Sequence, residues 1–189
     1  MQNIQKWKIL RSHFVLDNQW CRVRQDRIEL PNGEAIDDFF INVRPDIALV
    51  FAVTKNREIV FVRQYRHGVG EILLELPAGA FDPEIENAES AAMREMREET
   101  GYVCQKLIKL ATLHDNPVKD TNKIHLFFAQ DVEKSGEQIL DATEEIEVLL
   151  VPVAEVTNKI LTGEICVSGT VAAVFLGLNF FKNIGVSNL

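Results

Sequence analysis

Residues 79–102 read GAFDPEIENAESAAMREMREETGY, and this stretch decides how the chain folds. Ala88, Ala91, Ala92 and Met96 recur at helical spacing, which predicts a helix from about Asn87 to Thr100 with one face packed on a sheet. Asn87 is a candidate N-cap, Glu89 falls in the first turn where the helix dipole favours an acid, and Gly101 is placed to end the helix. Glu95 and Glu99 are four apart and stand one turn above each other, with Glu98 three from Glu95. Like charges at that spacing repel by about a few tenths of a kcal/mol. A divalent cation turns that repulsion into binding, and carboxylate oxygens suit magnesium, with manganese as the alternative, rather than zinc. On helix spacing alone, Arg94 and Glu98 favour a solvated face laced with ion pairs, being four apart as well. The preceding LPAG reverses the balance, because a surface helix has no reason to follow a strand-ending loop at this spacing.

Working outward, Ile72–Leu76 reads as a strand that stops at Pro77-Ala78-Gly79, and Ala80–Glu86 as the loop into the helix. Upstream, Ile47–Val53 is a near-continuous apolar run, as expected of a strand covered on both faces. Lys55-Asn56-Arg57 is a turn, and Glu58–Tyr65 is the next strand. Downstream, strands are expected near Lys106–Thr112, Ile124–Gln130 and Ile146–Val151, then helices near Val153–Leu161 and Thr170–Phe181. This order implies an α/β (α+β) fold, a mixed sheet with helices on both faces. The first 45 residues look like strands, with Trp20–Leu30 and Ala35–Val43 joined by a turn at Pro31-Asn32-Gly33. They predict a small N-terminal antiparallel β subdomain, residues 1–45, broken off at Pro45-Asp46 from a main domain, residues 46–189.

Composition narrows the function. A chain of 189 residues with 47% hydrophobic and 25% charged side chains is ordinary globular material, ample for a core. The net charge of −8 disfavours a general nucleic-acid binder, although a metal or a local basic cluster still permits an anionic substrate. Cys21, Cys104 and Cys166 are scattered without CxxC spacing and read as reduced thiols. The start, MQNIQKWKIL, lacks the apolar core of a signal peptide, and Thr170–Phe181 is too short to span a membrane. A soluble cytoplasmic protein with no membrane partner is expected.

Glu86, then seven residues, then Arg94-Glu95-Met96-Arg97-Glu98-Glu99-Thr100-Gly101-Tyr102 resembles the box of the Nudix hydrolase superfamily. The family glycine belongs five residues before Glu86, where this chain has Ala80; Gly79 lies one further back. We read this as one extra residue in the loop AFDPEI rather than a replaced glycine, because LPAG directly after a strand keeps the family register. The resemblance implies an α/β/α sandwich and a magnesium-dependent hydrolase of a nucleoside diphosphate linked to another group. It implies Glu95 and Glu99 as metal ligands, Glu98 in or beside that set, and Arg94 as the residue orienting the glutamates. The carbonyl of Ala78 or Gly79 would complete the coordination. Metals there would neutralise and polarise the pyrophosphate and lower the pKa of the attacking water.

VRQYRHG followed by LELPAG, together with N-terminal strands, is similar to the ADP-ribose pyrophosphatase branch across nearly the whole chain. On a strand Arg63 and Tyr65 share a face and Arg66 takes the other, near the strand end. Both arginines are candidates for binding substrate; Arg66 is the better one for a phosphate, since a guanidinium bonds it bidentately. The branch implies that DATEEIEV supplies a base or extra ligand, with Glu144 first as ligand, Glu145 second as base, and Glu147 on the face of Glu145. It also implies a homodimer, with N-terminal aromatics, among them Trp20, Phe39 and Phe40, stacking on the base; a core role for each stands beside that reading. His114 sits in a turn-rich stretch that can wall the pocket, and His125 reads as structural. The expected substrate is ADP-ribose or a related nucleotide sugar. Alternatives are GDP-mannose or a dinucleotide, and an inactive nucleotide- or RNA-binding module, which the presence of Glu95, Glu98 and Glu99 disfavours.

Overall fold

The computed structural model describes residues 4–187, so the first three and last two residues of the expected domains lie outside the described residues. The chain divides into two compact units. One comprises the residues up to Pro45 together with His114–Asn122, and the other comprises Asp46–Leu113 with Lys123 onward.

The first unit is a three-stranded antiparallel meander of β1 (Lys8–Asp17), β2 (Arg22–Glu29) and β3 (Ala35–Asn42), in that order. Leu30 and Glu34 close the β2–β3 turn, where the Leu30 N–H donates to the Glu34 carbonyl at 2.8 Å. Asp26 is buried and is paid for by two donors, Ser12 Oγ at 2.6 Å and Arg24 Nε at 3.1 Å. The 114–122 segment ties onto β3, with the Asn42 N–H donating to the Lys119 carbonyl at 2.8 Å and Arg44 pairing with Asp120 at 3.0 Å. Every residue of β1 is exposed.

The second unit is a mixed sheet between helical layers. Its main path is β11 (Ile146–Pro152), β5 (Glu58–Arg66), β4 (Asp46–Thr54), β10 (Lys123–Lys134) and β8 (Tyr102–Val103). Strand β6 (Glu71–Glu75) pairs with β5, β7 (Ala78–Phe81) with β4, and β9 (Leu107–His114) with β10. Strands β4 and β10 run parallel; the other paired strands with a stated register are antiparallel.

The apolar run in β4 is buried on both faces. Leu49, Phe51 and Val53 face a core built with Ala173, Val174 and Leu178 of α3 (Ser168–Ser187). Ala48, Val50 and Ala52 face a second core built with Ala91, Ala92 and Met96 of α1 (Ala88–Thr100). A short helix, α2 (Val156–Leu161), covers the first of these faces through Val156. Each large apolar side chain buried this way contributes roughly 1.5–3 kcal/mol. The three layers expected from the order of elements are therefore present.

The sequence reading and the structure differ in places. Ala80 and Phe81 were expected in a loop, but they continue strand β7, because Ala80 pairs with Ile47 and Phe81 with Asp46. The loop is thereby shortened to a turn after Phe81, closed by the Ile85 and Glu86 N–H groups on the Asp82 carbonyl at 3.0 and 2.9 Å. His114 ends strand β9 and is not among the residues lining the cavity described below. His125 is structural as expected: its Nε2 lies 2.9 Å from Asp46 Oδ2, and its ring meets Phe81 edge-on.

Candidate functional site

Helix α1 carries the site, and its ends are set by its own sequence. Asn87 Oδ1 accepts the Ser90 N–H at 2.9 Å, and Gly101 takes the left-handed conformation, φ 74°, at the other end. The last carbonyls are capped by the chain returning from β10. Ile139 donates its N–H to the Glu98 carbonyl at 2.8 Å, and Gln138 Nε2 donates to the carbonyls of Glu99 at 2.7 Å and Ile146 at 3.0 Å. These bonds bring the acidic segment 141–145 over the C-terminal turn of α1.

A cavity of about 520 Å³ opens there. Its walls include Arg66, Ala78, Gly79, Arg94, Glu95, Glu98, Glu99 and Glu144. Arg94 is the hub of the acidic wall. Its guanidinium donates to Glu86 at 2.8 Å, Glu95 at 2.7 Å and Glu98 at 3.1 Å. The bond to Glu86, with those to Glu95 and Glu98, holds the Arg94 proton more tightly than in free arginine. Five donors in a rigid fork are what allow one side chain to serve three carboxylates.

Glu99 lies deeper, 4% exposed, with Oε2 accepting the Ala78 N–H at 2.9 Å. Burial pushes its pKa up to about 8; the Ala78 bond and Arg66 oppose the rise, and Glu95 and Glu144 add to it. Burial raises Glu95 as well, offset by Arg94 and reinforced by Glu98 and Glu144. Neighbouring carboxylates thus add to the cost of charging Glu95 and Glu99 around one space.

Gly79 lets the Glu95 carboxylate lie against the backbone, since a Cβ there would overlap that carboxylate and force it to shift. Ala80, the alternative glycine position, is exposed and carries its methyl without difficulty. The geometry therefore places the close approach at Gly79, one residue earlier than the family spacing.

Several candidate residues stand elsewhere. Arg63 does not line the cavity and bonds Glu147 at 2.9 Å, its cross-strand neighbour on β11. Glu145 does not line the cavity, and neither do Trp20 and Phe39. Trp20 is 79% exposed in the first unit, while Phe39 meets Trp7 edge-on and lies under the Lys119 ammonium. Tyr65, Gln64, Asp141 and Thr143 do line it, and the sequence reading gave none of them a role there. Gln64 was within reach, because on a strand it shares the face of Arg66. Gln138 had no local signal, since its acceptors lie on two other elements.

Among the described residues no three Asp, Glu, His or Cys side chains converge tightly enough to hold an ion by themselves. Magnesium does not need such a cage: it typically takes one or two carboxylates and completes its shell with water and substrate phosphate. The donor set is all oxygen, and Glu99 is a buried carboxylate whose charge a cation would stabilise, so the residues fit that group.

A NUDIX domain model matches residues 43–165. This chain belongs to the Nudix family. A second model, the nucleoside diphosphate sugar hydrolase N-terminal domain, matches residues 7–42 ahead of the Nudix domain. The chain is 31% identical over 148 residues to an ADP-ribose pyrophosphatase of Bacillus subtilis, covering 78% of this chain and 79% of that one. It is 29% identical to a methanol dehydrogenase activator of Bacillus methanolicus, covering 88% and 90%. A GDP-mannose pyrophosphatase of Escherichia coli is 35% identical over 59% of this chain and 62% of its own. The Nudix fold is shared with the crystal structure of an ADP compounds hydrolase, TM-score 0.85 at 23% identity, covering 98% of this chain and 99% of that one.

Proposed function

We propose that the chain hydrolyses, with a divalent metal, the diphosphate of a nucleoside diphosphate linked to a second group, ADP-ribose or a related nucleotide sugar, to two monophosphates. That it is a Nudix pyrophosphohydrolase follows from family membership; the substrate and the metal are our reading. The observation that carries it is the gathering of Glu95, Glu98, Glu99 and Glu144 with Arg66 and Gly79 around one cavity. Glu95 and Glu99 would hold magnesium, or manganese, with Glu98 beside them and the carbonyl of Ala78 or Gly79. A cation bound there neutralises the diphosphate oxygens and lowers the pKa of a nearby water.

Arg66 is the phosphate-binding residue in this reading. Among the described residues only the Nε of its guanidinium is bonded, to Glu75 at 2.6 Å, which aims the group and leaves N–H donors for an anion. Arg94 keeps Glu95 and Glu98 in place. Glu144 is assigned as base or additional ligand in preference to Glu145, because it lines the cavity and raises the pKa values of Glu95 and Glu99. Catalysis is assigned to the domain of residues 46–189, apart from the segment 114–122 that joins the first unit, and an accessory role to residues 1–45.

We further propose a homodimer built on the first unit. Strand β1 leaves Ile9, Leu10, Phe14, Val15 and Leu16 at 41–54% exposure, an apolar surface unusual for a monomer. Trp20 and Phe39 are retained as base-stacking candidates. A cytoplasmic location agrees with three free cysteines, and no helix among the described residues is long and apolar enough to cross a membrane.

The test is a panel of ADP-ribose, GDP-mannose and a dinucleotide with purified protein and magnesium, products identified by mass. GDP-mannose is included because relatives carry that name. The reading predicts magnesium-dependent release of two monophosphates, and turnover of none of them would refute it.

A further inference from the structure

The donors in the cavity wall are unequally committed. Arg94 is shared among Glu86, Glu95 and Glu98, Arg66 is partly held by Glu75, and the Tyr65 hydroxyl meets His67 at 3.2 Å. Gln64 is different. It is only 8% exposed, it lines the cavity, and its carboxamide has no hydrogen-bond partner among the described residues. Its amide atoms keep contact with the open cavity, since among the described residues only Asn122 has fully buried side-chain polar atoms without a partner, and the Gln64 donor is therefore available to a bound group.

Its position allows no escape. Gln64 lies in strand β5 between Ile146 of β11 and Leu73 of β6, so the backbone is held from both sides. It shares a strand face with Arg66, about 7 Å along β5. A polyanion lying along that face reaches both side chains at once. The opposite wall carries the carboxylates of Glu95, Glu98, Glu99 and Glu144, and the Arg94 guanidinium among them is already bonded to Glu86, Glu95 and Glu98. A neutral amide supplies N–H groups without a charge that would compete with a cation for those carboxylates.

We propose that Gln64 is a substrate-binding residue whose carboxamide donates a hydrogen bond to a non-bridging oxygen of the diphosphate, beside Arg66. The proposal rests on the diphosphate-hydrolase reading above.

Two substitutions separate binding from mere packing. Gln64→Met keeps the length and removes the polar atoms; Gln64→Glu keeps the shape and makes the head an acceptor that repels phosphate. The protein would be measured with magnesium against ADP-ribose for turnover, and against its α,β-methylene analogue for binding by calorimetry. Gln64→Met is expected to melt no lower than wild type, because it gives up no hydrogen bond within the described residues. It should nevertheless bind the analogue roughly ten- to a hundredfold more weakly, with kcat/KM falling by a similar factor. Gln64→Glu should lose more of both.

Unchanged binding and kcat/KM in Gln64→Met, with an active wild type, would overturn the assignment alone. A melting temperature lowered in both variants marks a structural contact and overturns it too. A wild type that neither binds the analogue nor hydrolyses a diphosphate overturns the functional reading, and the Gln64 assignment with it.

Discussion

The buried carboxylate of Glu99 accepts the backbone N–H of Ala78 at 2.9 Å, binding the last turn of α1 to the start of β7. One hydrogen bond therefore joins the acidic helix to the residue pair whose carbonyls are candidates for the same site. It is too little to offset burial, which is why Glu99 titrates near 8.

A pH dependence follows for the metal-free chain. The folded pKa of Glu99, about 8, lies above its ordinary 4.5, so between these values the folded state holds more protons than the unfolded state. The stability tied to this proton is complete below about pH 4.5 and is lost as pH rises through about 8, on the order of 5 kcal/mol in all. Denaturant unfolding in chelator at pH 5 and pH 8 should show the decline, and Glu99→Gln should flatten it. Magnesium should restore stability at pH 8, since a ligand of the folded state stabilises it. Chelator should abolish turnover, and Glu99→Gln should remain inactive with magnesium present. An equal slope in wild type and Glu99→Gln would refute the assignment of the shift.

Gly79→Ala forces the Glu95 carboxylate out of its place, because the two cannot occupy the same space. Misplacing a catalytic group by about 1 Å costs on the order of a hundredfold in rate, while stability should change little, because only the end of the Glu95 side chain has to move. Ala80→Gly removes a methyl from the cavity rim and crowds no carboxylate, so it should lower kcat far less than Gly79→Ala. Kinetics on both variants distinguishes the two possible glycine positions.

Arg94→Lys replaces a fork that reaches three carboxylates with a single ammonium. Glu95 and Glu98 lose their common anchor, so kcat should fall at least about tenfold, with magnesium needed at higher concentration. A magnesium titration of activity in both proteins measures this. Unaltered magnesium dependence would mean that Arg94 does not set the carboxylate geometry.

Gln138→Ala strips the carbonyls of Glu99 and Ile146 of a donor. A loss of about 1–3 kcal/mol is expected from the unpaired acceptors. The acidic segment carrying Glu144 also loses its hold on α1, so kcat should drop more than KM changes. Hydrogen exchange across residues 139–146 should rise; protection equal to wild type would count against this role.

What could be read from the chain without its fold is confined to short range. The N-cap at Asn87, the stop at Gly101, and the shared face of Glu95, Glu98 and Glu99 all follow from one helix of 13 residues, whose geometry is the same wherever it is placed. The two-sided burial of β4 was legible for a similar reason, as an unbroken apolar run. The cavity itself depended on pairing. Antiparallel register sets Arg63 opposite Glu147 and removes both from the site, while Gln64 and Arg66 take the other face. The return of residues 135–139 onto the end of α1 brings Glu144, and not Glu145, into the wall. A helix specifies its face by its own spacing. A strand or a loop acquires one only from the partner it meets, and that is why the acidic helix belonged to the sequence and the rest of the site to the tertiary structure.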